Sequence, residues 1–83
     1  MTMSVLERNR RAVDPCRTAS VLLEARTAIG WSQYELARRS GMTRDLVAKM
    51  ERGASVRLET LFLASTALGV DIIDLFKRAR EMP

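Results

Sequence analysis

The stretch that decides the fold is SQYELARRSGMTRDLVAKMERG, Ser32 to Gly53. Ser32-Gln33-Tyr34-Glu35 has the form of a capping box, with a serine at the N-cap and a glutamate three residues on. Trp31 stands just before the cap, where it can pack on Leu36 as a hydrophobic staple. Ser40-Gly41 breaks this helix after Arg39, which gives a short helix over 33–39. Thr43 then caps a second helix over 44–52 whose inward residues are Val47 and Met50, and Gly53 terminates it. Two short helices separated by only Ser40, Gly41, Met42 and Thr43 make a helix-turn-helix layout.

Working outward, Asp14-Pro15 reads as a helix start, an aspartate N-cap followed by proline at the first helical position. Leu22, Ala25 and Ile29 follow at helical spacing and Gly30 supplies a stop, so a helix is expected over 15–29. Beyond a loop at 54–57, Leu58, Leu61, Phe62, Ser65 and Leu68 recur with the period of an amphipathic helix, ended by Gly69. Asp71 caps a last helix, about 71–80, carrying Ile72, Leu75 and Phe76. Residues 1–13 are polar and basic without sustained periodicity and are expected to form a flexible arm, with at most a helical turn near Val5 and Leu6. Residues 79–83 read as a tail. The expectation is one all-α domain over 14–78, a compact bundle of five helices with a central helix-turn-helix at about 32–53.

Composition bounds the partners. The chain has 83 residues, enough for one domain with a modest core. Aromatic residues make up only 5% and helix formers dominate, which favours helices over sheet. The formal charge is +4, a balance that suits a polyanion, either nucleic acid or an anionic surface. It is unevenly spread. Residues 33–57 carry six cations and three anions, a net +3, whereas residues 58–83 carry −1 and look like scaffold. Cys16 is the single cysteine and there is no histidine, so neither an internal disulfide nor a zinc site is expected. No Gly-rich phosphate loop, signal peptide or membrane span is evident, and no cofactor is expected. A reducing, cytoplasmic setting follows from the lone thiol, which reads as an ordinary helix residue.

In order along the chain, Leu22-Leu23-Glu24-Ala25-Arg26, Gly30-Trp31-Ser32-Gln33, Glu35-Leu36-Ala37, Gly41-Met42-Thr43-Arg44, Val47, Met50-Glu51-Arg52-Gly53, Leu58-Glu59-Thr60-Leu61 and Ala67-Leu68-Gly69-Val70 match a known pattern. Over Leu22 to Phe76 the sequence resembles the XRE/Cro-type regulators, which include the lambdoid-phage repressors. The resemblance implies a lambda-repressor-like fold and a transcriptional regulator that binds double-stranded DNA. It implies that Gln33 meets the DNA backbone and that Arg26 and Glu51 form a largely buried structural salt bridge. The exposed face of the 44–52 helix would enter the major groove, with Arg44, Asp45, Ala48 and Lys49 as base readers. Thr43, Arg52, Ser55 and Arg57 would face phosphates. Leu46 departs from the pattern, a bulky apolar residue that either packs on the preceding turn or lies against sugar and methyl groups.

Ile72, Ile73 and Phe76 make the last helix apolar enough to suggest a two-fold homodimer, which would read an inverted-repeat (palindromic) operator. Small members of this kind include phage repressors, restriction–modification controllers and antitoxins of bacteria and phages, commonly acting on their own operons at the nucleoid. A toxin or RNA polymerase is a further partner that the resemblance allows. The alternative reading is a protein-interaction module, such as an antitoxin whose main role is to bind its toxin. An enzyme is disfavoured, because no nucleophile–base pair, metal cluster or paired carboxylates share a face.

Overall fold

A computed structural model describes residues 2–83. Among them are six helices and no strand: α1 (Val5–Val13), α2 (Pro15–Ala28), α3 (Gln33–Ser40), α4 (Arg44–Glu51), α5 (Leu58–Ala67) and α6 (Ile72–Glu81). Local chemistry starts most of them. The Asp14 carboxylate accepts from the Cys16 and Arg17 amides at 2.9 and 3.1 Å, with Pro15 at the first position of α2. Ser32 Oγ accepts from the Glu35 amide at 3.0 Å, Thr43 Oγ1 from the Leu46 amide at 3.1 Å, and Asp71 from the Ile73 amide at 2.8 Å. The capping box at α3 is half made, because the Glu35 carboxylate turns to Arg38 and Arg39. α5 starts at Arg57 without a side-chain cap and is held by packing.

The core gathers Val21 and Leu22 from α2, Leu36 and Ala37 from α3, Val47 and Met50 from α4, Leu61 and Ala64 from α5, and Leu75 and Ala79 from α6. Burying a side chain such as Leu22, Leu36 or Leu75, each at 0% exposure, stabilises the fold by about 1.5–3 kcal/mol. α5 touches α2, α3 and α6, while α3 and α4 pack on each other and α2 closes on α4.

Three expectations are corrected. The bundle has six helices, not five. The extra one is α1, formed within the segment read as a flexible arm (Met1 lies outside the described residues), and it lies along α6. Val5, Leu6, Ala12 and Val13 do recur at helical spacing, but the stripe is short and no residue of α1 is buried, with Val5, Leu6 and Val13 exposed. Second, the expected tail belongs to the fold. α6 runs to Glu81, and Ala79 is fully buried. Its C-terminal carbonyls are collected by two arginines: Arg11 of α1 donates to the Met82 carbonyl, and Arg17 of α2 donates to the Met82 and Ala79 carbonyls. A helix end with unpaired carbonyls and partial negative charge favours such cations. Third, α5 buries Thr60, Leu61, Ala64 and Ser65, leaving Leu58 and Phe62 63% and 51% exposed. That helix is apolar on nearly every side, so its pattern does not single out a face.

All four glycines adopt left-handed backbone, and two of them sit in different surroundings. Gly41 has φ +76° and ends α3 in open space. Gly53 has φ +87°, and a Cβ there would come within 3.0 Å of Cys16 Sγ and 3.4 Å of Cys16 Cα. Gly41→Ala should therefore cost only the backbone penalty of about 1–2 kcal/mol. Gly53→Ala should cost more, because the Cys16 side chain must also give way. Urea denaturation of the two variants measures the difference, and equal losses would contradict it.

Candidate nucleic-acid interface

The turn Gly41–Thr43 sets α4 across α3, and with Val47 and Met50 at 0% and 1% exposure the helical period turns Arg44, Asp45 and Lys49 outward. All three are exposed, as are Thr43, Arg52, Ser55 and Arg57, and Ala48 is half-buried on the same helix. The sequence-predicted base readers and four of the five phosphate residues thus lie on α4, its cap and the loop that follows.

The fifth, Gln33, is placed differently. Its Nε2 donates to Glu51 Oε1 at 2.9 Å, so its amide is tied into the scaffold at the start of α3. The same carboxylate accepts from Arg26 Nε at 2.6 Å and Nη2 at 2.9 Å, a two-pronged pair whose side chains are only 13% and 4% exposed. Arg26 Nη1 donates in turn to the Trp31 carbonyl at 2.6 Å. The expected Arg26–Glu51 pair is present in the geometry, and it extends to Gln33 and Trp31, links that sequence spacing did not reveal. Gln33 still holds its position at the helix N-terminus, where the first amides have no acceptor within the helix.

The cations divide into two groups. Arg38 and Arg39 are bound to Glu35 at 2.8 and 2.7 Å, and the Arg39 guanidinium stacks 4.6 Å from the centre of the Trp31 ring. Arg26, Arg78 and Arg80 also have acidic partners, while Arg11 and Arg17 serve the end of α6. Arg44, Lys49, Arg52 and Arg57 make no ion pair with a described residue, and outside the helix-turn-helix neither do Arg8 and Arg10 of α1 or Lys77 of α6. The unneutralised charge of the middle of the chain is therefore concentrated on α4 and the loop after it, where a polyanion would meet it. Hydrogen bonds from Arg38 and then Arg39 hold the Glu35 carboxyl down at about 2 from its ordinary 4.5.

A helix-turn-helix family model matches residues 22–75, nearly two thirds of the chain. The chain belongs to the XRE-type helix-turn-helix family. This is a family of DNA-binding regulatory domains rather than of enzymes. No match was found among the curated proteins or the solved structures. The matched span covers α3, α4 and α5 but stops short of the end of α6 and leaves out α1. Among the described residues no group of acidic residues and cysteine is placed to hold a metal, and no helix is long and apolar enough to cross a membrane.

Of the residues expected at a dimer interface, Ile73 is 71% exposed, whereas Ile72 and Phe76 are half-buried and pack on the core. Ile73 and Phe76 line a groove between α6 and α1, together with Asn9, Ala12 and Val13.

Three outcomes follow. Glu51→Ala strands the Arg26 guanidinium and should cost about 3–5 kcal/mol, enough to unfold a domain of this size. Gln33→Ala removes one hydrogen bond and should cost about 1 kcal/mol in the same denaturation experiment. A stably folded Glu51→Ala protein would overturn this assignment. For Glu35, a carboxyl lowered in the folded state stabilises fully above its ordinary 4.5, and that contribution is lost as pH falls through about 2. An NMR titration should place its midpoint well below that of Glu35 in Arg38→Ala.

Proposed function

We propose that this protein is a sequence-specific transcriptional regulator that reads double-stranded DNA with α4 and controls its own operon. The single observation that carries the reading is the set of unpaired cations on α4 and its following loop, flanked by neutralised ones elsewhere in the helix-turn-helix. α4 enters the major groove with its N-terminal turn toward the base edges. Arg44 presents a planar fork to guanine O6 and N7. Asp45 accepts from a cytosine amino group or orients Arg44, Lys49 reaches a base or phosphate one turn on, and Ala48 lies against the groove. Thr43, Arg52, Ser55 and Arg57 contact phosphates and set the register of the protein on the duplex. Gln33 adds to the phosphate contact from the start of α3, with its side chain steadied by Glu51.

The protein acts as a homodimer in this account, each copy reading one half of an inverted repeat, with the reading helices about 34 Å apart. Ile73 and the groove beside Phe76 offer the apolar surface for pairing, and α1 adds Val13 to it. Sedimentation of the wild type as a dimer at micromolar concentration, and of Ile73→Asp as a monomer, is expected. A wild-type monomer would remove the pairing surface from the account.

Duplexes selected from a random pool by the wild type should share a core sequence, and Arg44→Ala should change or relax it, at a cost of about 1–3 kcal/mol in affinity for the original site. Arg57→Ala should weaken all duplexes alike and lower the slope of log affinity against log salt by about one. Unchanged selection by Arg44→Ala would contradict the role given to Arg44. Failure of the wild type to select any sequence would contradict DNA reading altogether.

A further inference from the structure

Leu46 is the one bulky apolar side chain on α4 that the core does not claim. It is half-buried, yet it belongs neither to the core cluster nor to the apolar residues packed around it. Instead it lines three neighbouring surface clefts. One is shared with Lys49, Ser55 and Arg57, a second with Thr43, Asp45 and Arg52, and a third with Gly41, Glu59 and Leu63. Its side chain is therefore a ridge between the clefts of the reading face. Its backbone is fixed as well, because its amide donates to Thr43 Oγ1 at 3.1 Å. The ridge shares these clefts with Lys49, Arg52 and Arg57, none of which has an acidic partner among the described residues.

Charges of that kind draw the DNA backbone to both sides of the ridge. A leucine held between them has no polar group to offer a base edge. It gains free energy only by covering apolar surface, and the apolar group that a base edge exposes in the major groove is the methyl on pyrimidine C5. We propose that Leu46 is a specificity-determining residue that recognises a C5-methyl pyrimidine, thymine or 5-methylcytosine, in each half-site. The inference rests on the DNA-reading function proposed above and adds to it an apolar discriminator that hydrogen-bonding readers do not supply.

The experiment uses the full chain and the duplex it selects from a random pool. Thymines are replaced one at a time by deoxyuridine, which removes only the methyl, and cytosines one at a time by 5-methylcytosine, which adds only the methyl. Burial of one methyl group is expected to show as about a fourfold change in affinity at one position per half-site, a loss in the first series or a gain in the second. The series that responds identifies which base carries the methyl. Leu46→Ala should bind the methylated site about fourfold more weakly and be indifferent to the methyl there, while Leu46→Met keeps the sensitivity. Leu46→Asn, similar in shape but polar, replaces the alanine variant if thermal melting shows that variant unfolded.

The proposal is overturned if no position in either series moves wild-type affinity beyond about twofold, or if the sensitive position stays sensitive in a folded Leu46→Ala or Leu46→Asn protein. Absence of any selected duplex for the wild type is a different result, and it refutes the DNA-reading function itself.

Discussion

One nearly sealed carboxylate holds the three helices that matter to each other. Glu51, in the last turn of α4, accepts two bonds from Arg26 of α2 and one from Gln33 of α3, and Arg26 goes on to the Trp31 carbonyl at the turn between them. Apolar packing by Leu22, Leu36, Val47 and Met50 supplies the bulk of the attraction, but it is non-directional. The bidentate pair adds direction, because a guanidinium and a carboxylate fit in few orientations. α4 is thereby fixed in rotation, and the face that carries Arg44, Asp45 and Lys49 stays turned to solvent. A pair this buried is costly to desolvate, and its worth lies in geometry rather than in net stability.

The same economy governs the charges. Arginines that build the scaffold are matched: Arg26 with Glu51, Arg38 and Arg39 with Glu35, and Arg11 and Arg17 with the carbonyl end of α6. Those on the outer face of α4 and in the following loop are left unmatched. Within the helix-turn-helix, scaffold and reading surface are thus separated by whether a cation has found its counter-charge, although Arg8, Arg10 and Lys77 on α1 and α6 are also without an ion-pair partner among the described residues. The chain-wide excess of +4 reports only the remainder.

The helix-turn-helix was legible because its signals are local. Ser32, Thr43 and Asp14 act on amides two or three residues away, and Gly41 answers a backbone need at its own position. The outward face of α4 was legible for the same reason, once Val47 and Met50 were read as inward. What escaped the sequence depends on distant partners. α1 is docked by Arg11 reaching a carbonyl 71 residues away, with no buried side chain to announce it. Gln33 reads as a free helix-start residue, and only folding brings it to Glu51. Along α5, apolar residues lie on nearly every side, so periodicity offers several faces and packing against α2, α3 and α6 chooses one. Leu46 was visible as an oddity, but whether it served the core or the surface required its neighbours.

The central claim is that the α3–α4 unit, rather than the α1–α6 side of the molecule, is the surface that meets DNA. Backbone amide NMR shifts, recorded while a selected duplex is titrated into the full chain, test it most directly. The account predicts that the largest changes fall on the first turn of α3, on Thr43 to Lys49 and on Arg52 to Arg57, and that they weaken as salt is raised. Changes centred on α1 and α6, with the amides of α4 unmoved, would contradict it.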